Sequence, residues 1–139
     1  IAEKTEDLIK QKMATDRPVR LIIVDSLTAH FRADFAGRGQ LADRQQKLNK
    51  HMHILMKLAS QYNLCVYVTN QVMTKPDTFF GDPTAPIGGN IVGHNSQTRI
   101  YLRKGKKGTR VAKLIDSPYL PDAESIFRVT DAGIIDVEE

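Results

Sequence analysis

Two hydrophobic patterns alternate along the chain: helical spacing across long charged stretches, and short unbroken apolar runs. Ile1 to Met13 sets Ala2, Leu8, Ile9 and Met13 among charges, a helical pattern that Thr15 to Pro18 ends. A strand follows over Val19 to Val24. Its four consecutive apolar, mainly β-branched residues, Leu21 to Val24, suit a strand covered on both faces, as in a parallel α/β sheet. Ser26 to Gln40 contains Gly37 and Gly39 but no sustained period, and reads as a loop with one helical turn near Thr28. Leu41 to Tyr62 is the clearest helix, with Leu41, Leu48, Met52, Leu55, Met56 and Ala59 on one side, opposite Asp43, Lys47, Lys50 and Lys57. Asn63 is placed to stop it. A second strand of buried type, Leu64 to Thr69, comes next. Strand, helix and strand make a right-handed βαβ unit, which brings both strand ends to one edge. Asp25 is therefore expected beside Thr69, Asn70 and Gln71.

Val72 to Asn90 carries Pro76, Pro83, Pro86, Gly81, Gly88 and Gly89, and is expected to be a long loop of the kind that is functional or disordered. Ile91 to Gln97 suits a short helix. Thr98 to Arg103 and Thr109 to Ile115 are expected to pair as a hairpin across Lys104 to Gly108. Ser125 to Thr130 and Ile134 to Val137 form a last strand pair, turning at Asp131, Ala132 and Gly133.

Composition narrows the class. At 139 residues, 41% hydrophobic and 26% charged, the chain has the size and balance of one globular domain. No apolar stretch approaches the length of a membrane span and no signal peptide is visible, so no membrane partner is expected. The single cysteine, Cys65, lies in an apolar run, reads as a core residue, and fits a reducing, intracellular compartment, expected to be the cytoplasm and its nucleoid, or the nucleus in a eukaryote. The net charge of +4 is unevenly spread: Arg99 to Lys113 holds seven Lys or Arg and no acid. Such a basic hairpin suits nucleic acid, or a solvated sheet edge whose lysines block aggregation.

Ligands of parallel sheets collect at the carboxyl edge of the strands. Asp25 there has the position of a Walker-B aspartate, which holds magnesium beneath nucleotide phosphates; an Asp also starts many ordinary turns. Arg32, Arg38 and Arg44 recur every six residues. Arg44 falls in the first turn of the long helix, where the helix dipole disfavours a cation unless an anion docks beside it. Pairing with Asp43, or exposure to water, is the alternative. Phe79 and Phe80 beside Gly81 can stack on bases of single-stranded DNA or fold back as a small plug. Gln71, uncharged at a strand end, suits a group that orients an attacking water or senses a γ-phosphate, or is a generic polar strand end. His51 and His53 are two apart on a helix and make no metal site, whereas His94 follows Gly88 and Gly89, where it can reach a phosphate or serve as an ordinary surface or capping histidine. Asp116 to Pro121 is a rigid turn, by default a structural one, that is also able to hold an apolar surface against a flat ring.

The order of these segments is more specific than any one of them. LIIVDS, FRADFAGRGQLADRQQKL, VTNQV, FFGDPTAPIGGNIVGH, RIYLRKG and LIDSPYLPDAE, in register over essentially the whole chain, resemble the C-terminal half of the ATPase core of RecA-type strand-exchange recombinases. The likeness is nearest to the archaeal, RadA-like branch and its eukaryotic relatives. The resemblance implies a RecA-like α/β P-loop NTPase core with a mixed sheet and terminal antiparallel hairpins. It implies ATP and Mg²⁺ as cofactors, single- and double-stranded DNA as partners, and self-association into a helical filament. By residue, it makes Asp25 the Walker-B acid, with Mg²⁺ held through water and Ser26 at its side, and Gln71 the link from the γ-phosphate to a DNA-binding loop. Arg32, Arg38 and Arg44 match the first such loop. Phe79, Gly88 and Gly89 fall in the second. His94 matches a histidine that senses ATP across the subunit boundary, and Asp116, Ser117, Pro118 and Pro121 match a cap over a nucleotide bound mainly by the neighbouring protomer. Lys104 and Lys106 fall near basic positions facing nucleotide or DNA.

The family's phosphate-binding loop, GxxxxGK followed by Ser or Thr, does not occur in these residues. The chain is accordingly expected to be a C-terminal part of a longer recombinase that hydrolyses no ATP by itself. The competing expectations are a non-catalytic paralogue or regulator that binds DNA and recombinase subunits, and a replicative helicase of the same core fold. The GRG and IGG loop motifs weigh against the helicase.

Overall fold

The structure is a computed structural model that describes residues 2–29, 41–74, 84–87 and 90–137. The chain divides into two compact units, Ile1–Asn95 and Ser96–Glu139.

The first unit opens with helix α1 (Ala2–Met13), followed by strand β1 (Leu21–Val24), helix α2 (Leu41–Tyr62) and strand β2 (Cys65–Val68). β1 and β2 pair in parallel with Leu21 opposite Cys65 and Val24 opposite Val68, so both carboxyl ends lie on one edge. The pairing continues past the strands, since the Cys65 amide donates to the Arg20 carbonyl at 2.8 Å and the Thr69 amide to the Val24 carbonyl at 3.0 Å.

α2 packs its apolar side through Leu48, Met52, Leu55 and Leu58, all buried. Met56, expected on that side, is 44% exposed, and Leu58 takes its place. The helix turns about 100° per residue, which carries Met56 to the flank of the stripe that positions 48, 52, 55 and 58 define. Asn63 ends the helix in a left-handed conformation with φ of 48°. The Leu64 amide then reaches back to the Ala59 carbonyl at 3.1 Å, closing the terminal turn as a Schellman motif. Ile9 of α1, Leu58 and Leu64 form one cluster, joined by Ile22 and Val66 from the strands. A second cluster unites Leu27, Leu48, Met52 and Val92, with Val24 and Val68 against it. Each fully buried leucine or isoleucine contributes about 1.5–3 kcal/mol relative to exposure. At the end of α2 the Tyr62 hydroxyl donates to Glu6 at 3.1 Å, and Lys10 pairs with the same carboxylate at 3.1 Å. Lys10, and then Tyr62, hold the Glu6 carboxyl below its usual value.

Two expectations require correction here. Alternate side chains of β1 and β2, Ile22, Val24, Val66 and Val68, face the clusters, while Leu21, Ile23 and Tyr67 on the other face are 51%, 62% and 55% exposed. The strands are thus covered on one face among the described residues, not on both. Cys65 shares the open face and is exposed rather than buried. A continuous apolar run shows that both faces can accept a covering layer; it does not supply one.

Beyond β2 the expected long loop has structure at its base. β3 (Val72–Thr74) and β4 (Thr84–Pro86) pair antiparallel, with Val72 opposite Pro86 and Thr74 opposite Thr84. A two-stranded ribbon leaves one side of each strand unpaired, so Pro86 costs no ladder hydrogen bond when its nitrogen faces outward. Helix α3 (Asn90–Asn95) follows, and the side-chain Nδ2 of Asn95 donates to the Ile91 carbonyl of its own helix at 2.8 Å and to Oδ1 of Asn49 in α2 at 3.2 Å.

The second unit is a four-stranded antiparallel sheet in the order β5 (Arg99–Lys104), β6 (Arg110–Asp116), β7 (Ala123–Thr130), β8 (Gly133–Asp136). The expected hairpin and last strand pair are therefore parts of one sheet. The first turn uses positive φ at Lys107 and Gly108, and Gly133 at the last turn has φ of 112°. Gly105 is required by space, because a Cβ there would meet the Thr109 hydroxyl. Val111 is buried, whereas Ile100, Leu102, Val129 and Ile134 are all at least 59% exposed. The register pairs Val129 with Ile134, and sets Ile100 and Leu102 opposite Leu114 and Ala112, so these residues form one apolar face.

Candidate functional site

The carboxyl edge of β1 and β2 gathers polar groups as the topology demands. Asp25 follows directly on β1 and is exposed, and its Oδ1 accepts the Thr69 hydroxyl at 2.5 Å. The peptide bond between Asp25 and Ser26 is cis. The chain turns over residues 25–28, where the Leu27 amide donates to the Thr69 carbonyl at 2.8 Å and the Ala29 amide to the Ser26 carbonyl at 3.3 Å. Asp25 therefore lies two residues from Gln71 across the strand pair, and Gln71 leads directly into β3. The Gln71 side chain is exposed, while its carbonyl accepts the Ile87 amide at 2.9 Å.

One carboxylate beside a hydroxyl is too few ligands to hold a dication alone, and no cluster of three or more acidic, histidine or cysteine groups occurs among the described residues. Mg²⁺ keeps several waters and binds through one or two carboxylates together with phosphate oxygens. Asp25, with Oδ2 uncommitted among the described residues, fits that outer role.

The other expected site residues are distributed as follows. Arg44 is half-buried in the first turn of α2 and has no ion pair among the described residues, Asp43 included. His94 is exposed in the last turn of α3. Arg32, Arg38, Phe79, Gly88 and Gly89 lie outside the described residues. In the second unit, Asp116 closes β6, and its Oδ2 accepts both Nε and Nη2 of Arg99, at 3.2 and 2.7 Å. The Ser117 hydroxyl oxygen accepts the amides of Tyr119 and Leu120, both at 3.2 Å. That turn presents Tyr119 and Leu120 to solvent, 85% and 61% exposed, with Pro118 and Pro121 also exposed. The basic hairpin is partly balanced by Asp116 and by Glu124, which Arg103 meets at 3.0 Å, and its β5 is an edge strand.

The family model described as Rad51 matches residues 2–137. This chain belongs to the Rad51 family. Its relatives include the DNA repair and recombination protein RadA of Halobacterium salinarum, 58% identical over 134 residues, covering 96% of this chain and 39% of that protein. RadA of Haloquadratum walsbyi is 57% identical and RadA of Haloferax volcanii 58% identical over the same coverage. This Rad51-family chain thus spans 39% of the length of those relatives.

Thr28 escaped the sequence reading. It is 2% exposed and donates its hydroxyl to the Asn70 side-chain oxygen at 2.8 Å. A threonine three residues beyond a strand-ending acid was the signal available; its burial, and its partner 42 residues away, were hidden until the strands were paired.

Proposed function

We propose that this chain is the C-terminal part of the RecA-like ATPase domain of a DNA recombinase, which pairs homologous DNA and exchanges strands while assembled as an ATP-bound filament. The observation that carries this reading is the edge where the Asp25 carboxylate meets Thr69, two residues from Gln71 and the ribbon that Gln71 begins. The likeness, at 57–58% identity, to RadA proteins named for DNA repair and recombination supports the same reading.

In this account the bound Mg²⁺–ATP supplies phosphoryl chemistry and a charge that distinguishes triphosphate from diphosphate. Asp25, steadied by the Thr69 hydroxyl, would hold that metal through water. Gln71 carries the presence of the terminal phosphate into β3. Arg44, without a protein counter-ion among the described residues, offers its guanidinium to DNA phosphate, where contact is salt-sensitive and indifferent to sequence. Asp116 to Pro121 and His94 serve nucleotide held chiefly by an adjoining protomer. Arg32, Arg38, Phe79, Gly88 and Gly89 complete the DNA grip, and the phosphate-binding loop comes from the remainder of the protein.

The test is joint-molecule formation between single-stranded and homologous duplex DNA by the full-length protein with ATP and Mg²⁺. Pairing is expected, and Arg44→Ala should weaken single-strand binding and lower the salt slope by about one. Full-length protein that binds recombinase subunits yet forms no joint molecules would instead be a regulator.

A further inference from the structure

Asn70 uses both ends of its side-chain amide to join two segments distant in sequence. Its Oδ1 accepts the Thr28 hydroxyl at 2.8 Å, and its Nδ2 donates to the Ile87 carbonyl at 2.7 Å. A carbonyl can only accept, so the NH₂ end must face Ile87 and the oxygen must face Thr28; chemistry fixes the orientation. Ile87 is held a second time by its own amide, which donates to the Gln71 carbonyl at 2.9 Å. Its side chain is 7% exposed and Thr28 is 2% exposed, so neither segment slides without breaking buried contacts. Thr28 ends the turn that Asp25 begins, and Ile87 follows β4, the returning strand of the ribbon.

We infer that Asn70 is a positioning residue that couples the turn after Asp25 to the paired strands β3 and β4, so that a change at the nucleotide edge is delivered to both strands together. The neighbouring Gln71 leads into the outgoing strand and holds the Ile87 amide through its backbone carbonyl, whereas the Asn70 side chain holds the Ile87 carbonyl, and the two make a clasp at the return. This rests on the proposed nucleotide and DNA roles of the two ends.

The test measures single-stranded DNA affinity of the full-length protein with and without Mg²⁺–ATP. Asn70→Asp keeps the shape but sets a carboxylate oxygen against the Ile87 carbonyl. Thr28→Val removes the other bond at nearly constant volume, and Thr28→Ser retains it. Wild type and Thr28→Ser should bind DNA more tightly with ATP. Asn70→Asp and Thr28→Val should lose about tenfold of that enhancement, within the usual range of site coupling, while affinity without nucleotide holds. A merely structural role would shift both affinities alike. Should Asn70→Asp fail to fold, Thr28→Val decides. An unchanged enhancement in the folded variants overturns the inference alone. A wild type that binds DNA equally with and without ATP overturns the functional reading, and this inference with it.

Discussion

The two units of this chain are stabilised in opposite ways. The first buries leucine, isoleucine and methionine from elements far apart in sequence, as where Ile9 meets Leu58 and Leu64. The second is built from consecutive hairpins and buries little beyond Val111, while Ile100, Leu102, Val129 and Ile134 stay open. Helix-covered parallel strands depend on side-chain packing across long sequence separations, whereas a meander is specified by turns and neighbouring strands. The difference teaches where function can be housed. The site edge belongs to the unit whose strand ends are fixed by a packed helix, and hydrogen bonds such as Thr69 to Asp25 rely on that fixity.

The largest expected effect follows from this contrast. Leu58→Ala empties the cluster beneath β1 and β2 and should cost about 2–5 kcal/mol in denaturant unfolding of the full-length protein. Val111→Ala, in the second unit, should cost only about 1–2 kcal/mol because fewer buried atoms are lost. Equal losses would show that the second unit depends on packing as much as the first.

A smaller effect separates the units by pH. Burial of half-buried His51 in α2 holds its imidazole below the ordinary value of 6.5. The fold favours the neutral form, so this contribution is complete above that value and is lost as pH falls through it toward the lowered one. His51→Gln should flatten the acid limb of a stability–pH profile just below 6.5. A limb of unchanged slope would mean that His51 protonates equally in both states.

Local chemistry was legible in the sequence. The apolar spacing of α2, its stop at Asn63 and the hairpin turns at Gly108 and Gly133 each depend on a few adjacent residues, and the structure has them. The meeting of Asp25 with Thr69 followed from one topological rule. What the sequence concealed was set by neighbours. Leu21, Ile23 and Cys65 look buried by composition, yet exposure is decided by what packs above them. The ribbon of β3 and β4 was hidden because prolines and glycines mark breaks without saying which edges tolerate them. Thr28 and Asn70 were invisible as partners for want of a pattern linking positions 42 apart.

The central claim is that the carboxylate ending β1 and the segment begun by Gln71 act as one nucleotide-responsive grip on DNA. The most direct test is a titration of single-stranded DNA into full-length protein carrying Asp25→Asn, with and without Mg²⁺–ATP. Wild type should bind roughly tenfold more tightly with nucleotide, and the variant should bind alike in both conditions. Full ATP-dependent tightening in the Asp25→Asn protein would contradict the account.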